Sequence, residues 1–506
     1  MTVAEAAHGP RPSGAPRRLL AASLADLDED LEELLFLCRS AEAALDEAEG
    51  ELSAARLHSA TRDRLTGEFA ASRRRYRLVG RSLLRLRQRA EREPPSRSLL
   101  DELAEESASV RDRLRTEQAL LAALVSAADW QSPSFLHSLA PKAGRQEGRI
   151  VPHWNDYKRD RHLDADRYER LYLQEIVDGQ SELRALLTSC GMAAFTTILS
   201  FLSLEGKLEG PVIAGAGLYH ESKLLLARTL RDRVTFLDER DASGLLRAIE
   251  DRPSAIFLDS LSNTAWMPVP ELLPLLEALR GRETYLVLDN TGLSAACQPF
   301  ALAADSVRVL VFESLLKYAQ LGLDRTNAGV IVARDEDAEL LEDYREHLGT
   351  NIADVAVHAL PRPDRAVLSR RLARLERNAL YLAARLEERS PAGVEIVYPG
   401  LPSHSCAGAA AEYPFRGACF SIVLADRGPG LTRERGLVEA AVSEAAKCGI
   451  ALLAGSSFGF DTTRIYLTAG RAECGEPFVR VSAGTEHRLT LDPLAEALAA
   501  AIGAVS

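Results

Sequence analysis

Lys317 follows the apolar run Val307 to Phe312 and then Glu313-Ser314-Leu315-Leu316, so a primary amine stands at the end of a segment that reads as a buried strand. An apolar setting disfavours the ammonium form, lowers the amine's pKa and makes it a nucleophile towards an aldehyde carbon. Asp289 ends a second such run, Tyr285 to Leu288. A buried carboxylate there can keep a facing pyridine nitrogen protonated, so that the ring accepts electrons from a carbanion. Cys190-Gly191-Met192 precedes an apolar helical stretch. A small turn opening a helix presents backbone N–H groups to a phosphate. Each signal alone also has a plain structural reading: a solvated charge, a strand-end cap, a tight turn. Their order and spacing together are much harder to set aside than any one of them.

The elements that must position these residues are legible as patterns. From about residue 146, short apolar runs (Val212 to Ala214, Ala255 to Leu258, Tyr285 to Leu288, Val307 to Phe312) alternate with amphipathic helices. Continuous apolar runs suit strands buried on both faces of a mostly parallel sheet, where ligands sit beyond the carboxyl ends of the strands. The polar residues Asp259 and Asn263, Asp289 and Asn290, and Glu313 to Lys317 follow the runs accordingly. A long helix over about Ala366 to Glu388 leads to a final α+β segment with runs near Val394, Ser421 to Leu424, Ile465 to Leu467 and Val479 to Val481.

The first quarter is different. Leu24, Leu31, Cys38, Leu45 and Leu52 recur every seven residues, with Leu27, Leu34, Ala41, Ala48 and Ala55 at the other seam position. Its outer faces read as acidic (Asp26, Asp28, Glu29, Asp30, Glu32, Glu33), and the next helical run is basic, from Arg73 to Arg89. An antiparallel hairpin with charge-complementary flanks is expected. A third helix opens near a Ser98/Asp101 capping box and runs to about Ser126. The chain therefore divides into an N-terminal helical segment (1–145), a large α/β domain (146–345) and a C-terminal small domain (346–506).

Bulk properties bound the function. The chain has 506 residues and a formal net charge of −12, which argues against general affinity for nucleic acid or anionic membrane. No stretch is apolar for long enough to span a bilayer, and residues 1–18 lack the apolar core of a signal peptide. The seven cysteines show no CxxC spacing, which predicts a reducing, cytoplasmic setting and no metal site.

From about His153 onward the chain resembles the cystathionine γ-synthase/γ-lyase group, the Cys/Met-metabolism enzymes of fold type I that depend on pyridoxal 5′-phosphate (PLP). Tyr157-Lys158-Arg159 resembles the family's Tyr-x-Arg, which implies a reach across a dimer to the neighbour's phosphate. Cys190-Gly191-Met192-Ala193-Ala194 resembles the Ser-Gly-Met-x-Ala phosphate loop, and Tyr219 stands where a Tyr stacks on the pyridine ring. Asp259-Ser260-Leu261-Ser262-Asn263-Thr264 is similar to Glu-Ser-Pro-Thr-Asn-Pro, which implies that Asn263 bonds the phenolic oxygen. Asp289-Asn290-Thr291 resembles the Asp-Asn-Thr carrying the pyridinium partner, and Ser314-Leu315-Leu316-Lys317-Tyr318 the Ser-x-Thr-Lys-Tyr motif of the Schiff-base lysine. Val397 to Leu401 resembles the Tyr-Pro-Gly-Leu opening of the small domain, and Ser457-Phe458-Gly459 its Ser-Leu-Gly. Val479 to Glu486 resembles Ile-Arg-Leu-Ser-Val-Gly-Ile-Glu, which makes Arg480 the fork for the substrate α-carboxylate.

The departures matter too. Leu316 replaces the motif's Thr, Cys190 a Ser, His220-Glu221-Ser222 a Gly-Gly-Thr, and Leu321-Gly322-Leu323-Asp324 a Gly-His-Ser-Asp. His220 and Glu221 thereby place ionisable groups near the substrate mouth, and the N-terminal helices have no counterpart in the ordinary family. The resemblance implies an amino-acid substrate with a γ-leaving group, an O-acylhomoserine or S-adenosylmethionine. Reaction would proceed through quinonoid and β,γ-unsaturated intermediates, by γ-replacement or C–C bond formation, in specialised metabolism. A β/γ-lyase or aminotransferase, and an inactive scaffold of the same fold, are the alternatives. Shared active sites imply a homodimer or a dimer of dimers.

Overall fold

The computed structural model describes residues 17–54, 58–128, 163–179, 182–426, 431–468 and 477–505. The chain forms two compact units, a first of Met1–Asp26, Glu205–Val311 and Ala366–Ser506, and a second of Leu27–Leu204 and Phe312–Arg365. The strands in chain order are β1 (Leu183–Thr188), β2 (Val212–Gly215), β3 (Val234–Leu237), β4 (Ala255–Asp259), β5 (Tyr285–Asp289) and β6 (Arg308–Ser314). They continue as β7 (Gly329–Arg334), β8 (Val394–Val397), β9 (Cys419–Leu424), β10 (Leu453–Ala454), β11 (Arg464–Thr468) and β12 (Phe478–Ser482). No described helix is long and apolar enough to cross a membrane.

In the first unit β5, β4, β2 and β3 lie side by side in that order, all parallel. Every residue of β2 and β4 is buried, as the unbroken apolar runs predict for strands covered on both faces. The parallel register sets Asp259 opposite Asp289, so two carboxylates end neighbouring strands. The same unit holds a five-stranded sheet, β10-β11-β12-β9-β8, antiparallel except for the short β10–β11 pair. Phe420, Ile422, Ile465, Val479 and Val481 bury its inner face against Leu437, Ala441, Leu494 and Leu498 of the helices Thr432–Lys447 and Arg488–Val505. The long helix of this region runs Arg365–Glu387, within one residue of its expected limits.

The second unit is built on α1 (Arg17–Ala54), α2 (Ser59–Arg92) and α3 (Arg97–Ala128). Leu27, Leu31, Leu34, Cys38, Ala41, Leu45, Ala48 and Leu52 of the expected seam are all buried, whereas Leu24 is half-buried and Ala55 lies outside the described residues. Arg87 reaches Asp28 and Glu32, and Arg73 reaches Asp46 and Glu49, so α1 and α2 run antiparallel with paired flanks. Two acidic residues assigned to the outer face are buried instead. Asp26 (1% exposed) belongs to the first unit, where Arg377 and the Arg488 amide bind its carboxylate and Arg374 binds its carbonyl. Glu33 (8% exposed) is held by Arg111 of α3. Heptad spacing marks a seam but not a carboxylate whose cation lies 78 residues away. The α3 cap also differs: Ser96 Oγ accepts the Leu99 amide at 3.1 Å, while Ser98 Oγ donates to Glu102. β1 pairs antiparallel with β7.

Candidate active site

In the first unit the strand ends bring polar groups into a network. Arg480, on the fully buried β12, is 5% exposed. Its Nη1 donates to Asn263 Oδ1 at 2.9 Å and its Nη2 to the Ser457 carbonyl at 3.5 Å, and its guanidinium lies 5.7 Å from the Phe458 ring centroid. Its Nε is buried with no hydrogen-bond partner among the described residues, so the fork keeps unused donor capacity. Ser457 holds a left-handed backbone (φ 74°), a conformation that costs a non-glycine residue energy and aims its carbonyl at the guanidinium.

Asp259 Oδ2 accepts the Tyr219 amide at 3.0 Å, and its Oδ1 is buried with no hydrogen-bond partner among the described residues. Burial above all, then the charges of Asp289 and Glu239, push the Asp259 carboxyl well above the ordinary carboxylate range. Glu239, 2% exposed, accepts the Gly217 amide on both oxygens at 3.0 Å and Ser262 Oγ at 3.2 Å; burial raises its carboxyl too. Asp289 Oδ1 accepts the Thr291 amide at 2.9 Å, and Asn290 Nδ2 pins the following turn through the Ser294 and Cys297 carbonyls. Tyr219 precedes the helix His220–Leu230 and is 38% exposed. Partial burial, the Glu221 carboxylate and Asp289 raise its phenol, and Arg480 opposes them, so Tyr219 keeps its proton at neutral pH. His220 is half-buried, and Glu221 is exposed in the first helical turn, where a carboxylate suits the helix dipole.

The second unit carries the other sequence-derived residues. Cys190 precedes the 14-residue helix Gly191–Leu204, and its Sγ accepts the Ala193 amide at 3.3 Å, taking a serine-like capping place. Thr188 Oγ1 donates to the Cys190 carbonyl at 3.0 Å. Gly191 lies so close to the end of β6 that a Cβ there would come 2.8 Å from Ser314 Cβ. A turn of small residues, the N-terminus of a full-length helix and the Ser314 hydroxyl thus share one cradle whose donors suit a phosphate. Met192 lies in that helix's first turn. Lys317 is half-buried in the turn after β6, between the buried side chains of Leu315 and Tyr318. Tyr157 and Arg159 lie outside the described residues.

Several groups escaped the sequence reading. Glu239 sits in the charged run Asp238-Glu239-Arg240-Asp241, which reads as a solvated loop. The buried Glu313, bonded by the Tyr172 hydroxyl at 2.9 Å, needed a partner 141 residues distant. Asp259 was legible as a polar residue beyond an apolar run and as one letter of a motif, but its second oxygen, buried without a hydrogen-bond partner among the described residues, was not.

Residues 116–436 match the sequence profile of the Cys/Met metabolism PLP-dependent enzyme family, and the chain belongs to that family. PLP is the family's cofactor, and within the second unit the donors of the Gly191 turn beside Ser314 and the half-buried Lys317 are groups that suit a phosphate and an aldehyde. The chain is 25% identical over 331 residues to the bifunctional enzyme flvA of Aspergillus flavus, an alignment covering 63% of this chain and 39% of flvA. It is 29% identical over 256 residues to cystathionine gamma-synthase of Escherichia coli, covering 50% of this chain and 63% of that enzyme. The chain thus spans between about two fifths and two thirds of the length of these two relatives. Cystathionine gamma synthase from Xanthomonas oryzae pv. oryzae, solved with aminoacrylate and cysteine, superposes with a TM-score of 0.57. At 22% identity, covering 70% of this chain and 89% of that one, it shows the shared fold type I architecture.

Proposed function

We propose that this chain acts on an amino acid bearing a leaving group at Cγ, an O-acylhomoserine or S-adenosylmethionine, and replaces that group or forms a C–C bond there, in specialised metabolism. The observation that carries the reading is Arg480, a buried guanidinium held by Asn263 and Ser457 with donor capacity to spare. A planar fork so placed suits an α-carboxylate. When bound, PLP supplies an electron sink for carbanions next to the amino group. Lys317 would be its covalent anchor, and the Lys317 Nζ would hold and move protons at substrate Cα and Cβ. Asp289 holds the proton on the ring nitrogen, and Asn263 positions Arg480 and bonds the phenolic oxygen. Cys190, Gly191, Met192 and Ser314 bind the phosphate. Tyr219, protonated, covers the ring. His220, Glu221 and Ser457 belong to the substrate mouth. Tyr157 and Arg159 reach the phosphate of a second copy, which makes a two-fold dimer the smallest active unit.

The test begins with the PLP-loaded chain. Borohydride reduction followed by peptide mapping should place the adduct on Lys317, and Lys317→Ala should abolish it. S-adenosylmethionine, O-acetyl- and O-succinylhomoserine are then each offered with and without a nucleophile. Release of methylthioadenosine or of the acyl acid is the expected result. Turnover confined to amino acids without a γ-leaving group overturns the reading.

A further inference from the structure

Within the second unit, the N-terminal helices meet the turn that follows Lys317. In that turn Leu321, Gly322 and Asp324 have φ of 49°, 76° and 49°, and the left-handed region is costly for two of the three. Such a backbone persists only where its surroundings hold it. From one side Gln320, 1% exposed, saturates its amide: Nε2 donates to the Leu315 and Thr326 carbonyls, and Oε1 accepts the Arg325 and Thr326 amides. From the other side α3 supplies two guanidiniums. Arg111 Nη1 donates to the Leu321 carbonyl at 3.0 Å and to Glu33 Oε1 at 2.9 Å. Arg115 donates through Nε and Nη2 to the Gly322 carbonyl at 3.2 and 2.8 Å. Arg111 is 5% exposed and Glu33 8%, so this triad of cation, carboxylate and loop carbonyl is shut off from water. One turn further along α3, Gln118 donates to the His358 carbonyl at 3.2 Å and fastens the helix at a second point.

These bonds join the N-terminal helices to the Leu321-Gly322-Leu323 sequence. They also reach back towards the lysine. The Leu321 amide donates to the carbonyl of Tyr318, the residue next to Lys317, at 3.0 Å, and Tyr318 is itself buried.

We propose that Arg111 and Arg115 are positioning residues for Lys317: by fixing the Leu321–Gly322 turn they hold the lysine where its amine meets the cofactor aldehyde. The proposal rests on the assignment of Lys317 as the anchor. It makes α1 to α3 a part of the machinery that presents the lysine.

The test uses the full-length chain freed of cofactor. Arg115→Ala should slow formation of the PLP adduct by about tenfold or more, because a misplaced reacting group loses rate before it loses affinity. Binding of pyridoxamine 5′-phosphate, which has the phosphate and ring but no aldehyde, should be unchanged. Arg115→Lys should restore part of the rate. The double change Arg111→Met with Glu33→Leu removes the buried pair, takes from the partly exposed Asp30 only its longer 3.8 Å contact with Arg111, and should behave like Arg115→Ala. Arg75→Ala, which breaks an ion pair to Glu117 elsewhere in the same helices, is the control and should leave the rate alone. A native rate in Arg115→Ala, or an equal loss of pyridoxamine phosphate binding, overturns the proposal. Amide exchange over residues 318–326 gives an independent reading: Arg115→Ala should raise it about tenfold, and unchanged exchange overturns the proposal. If native adduct formation maps to another lysine, the anchor assignment fails instead, and the exchange result still decides whether the arginines hold the turn.

Discussion

The two units hold their functional residues by different means. In the first, polar groups fix one another: Asn263 takes Arg480, the Tyr219 amide takes Asp259, and Gly217 with Ser262 takes Glu239. In the second, backbone shape and packing do the positioning: Gly191 closes on Ser314, Lys317 sits between buried Leu315 and Tyr318, and a left-handed turn is clamped by Gln320 and α3. The contrast teaches where each unit is vulnerable. A charge network fails when one member loses its charge or gains a proton. A steric scaffold fails when a single carbon atom is added.

The most damaging change should be in the network. Arg480→Ala should lower kcat/KM by roughly two decades or more, and Arg480→Lys should recover only part, because an ammonium lacks the planar fork. Steady-state kinetics with intact PLP absorbance would check this; near-native kinetics would remove Arg480 from substrate binding and erase much of the contrast. Gly191→Ala probes the scaffold. Its Cβ would meet Ser314 Cβ at 2.8 Å and force the phosphate turn away from β6. A stability loss of about 1–3 kcal/mol is expected from such overpacking, together with weaker PLP binding. Calorimetry and cofactor titration read both, and PLP affinity as tight as native would mean that the turn does not carry the phosphate.

A gentler change sharpens the comparison through pH. Burial and the neighbouring carboxylates raise the Asp259 carboxyl in the folded chain above the ordinary aspartate pKa of about 3.9 that it has in the unfolded chain. Folding then binds the extra proton, so this group's contribution to stability declines as pH rises from that value through the raised native one. Asp259→Asn should flatten the fall across that window, as urea denaturation at a series of pH values would show. An unchanged slope would mean that Asp259 is ionised in the fold. Smallest of all should be Arg87→Ala, whose partners Asp28 and Glu32 are each about two fifths exposed in their side chains. A loss of at most about 1 kcal/mol in thermal unfolding is expected. A larger one would mean that charge, and not the buried seam of Leu31, Leu34 and Leu45, holds α1 to α2.

Local pattern carried much of this molecule. Residues whose meaning lies in their immediate neighbours were legible: Asp289 after an apolar run, Gly191 before a helix, Lys317 beyond a strand, leucines at heptad spacing. Asp26, Glu33 and Glu313 were not, because each is made tolerable in the interior by partners brought near only by folding. The same limit hid Arg111 and Arg115, which along the chain are two of many arginines on amphipathic helices.

The cofactor family therefore follows from motifs that resemble the family's, and the strand ends that bear Asp289 and Lys317 from short-range periodicity and turn composition. Which carboxylate is pushed up by burial, which arginine keeps free donors and which helix braces the turn after Lys317 were decided only in three dimensions. Burial and long-range pairing set the energy of a charge, and neither is written in the residues beside it.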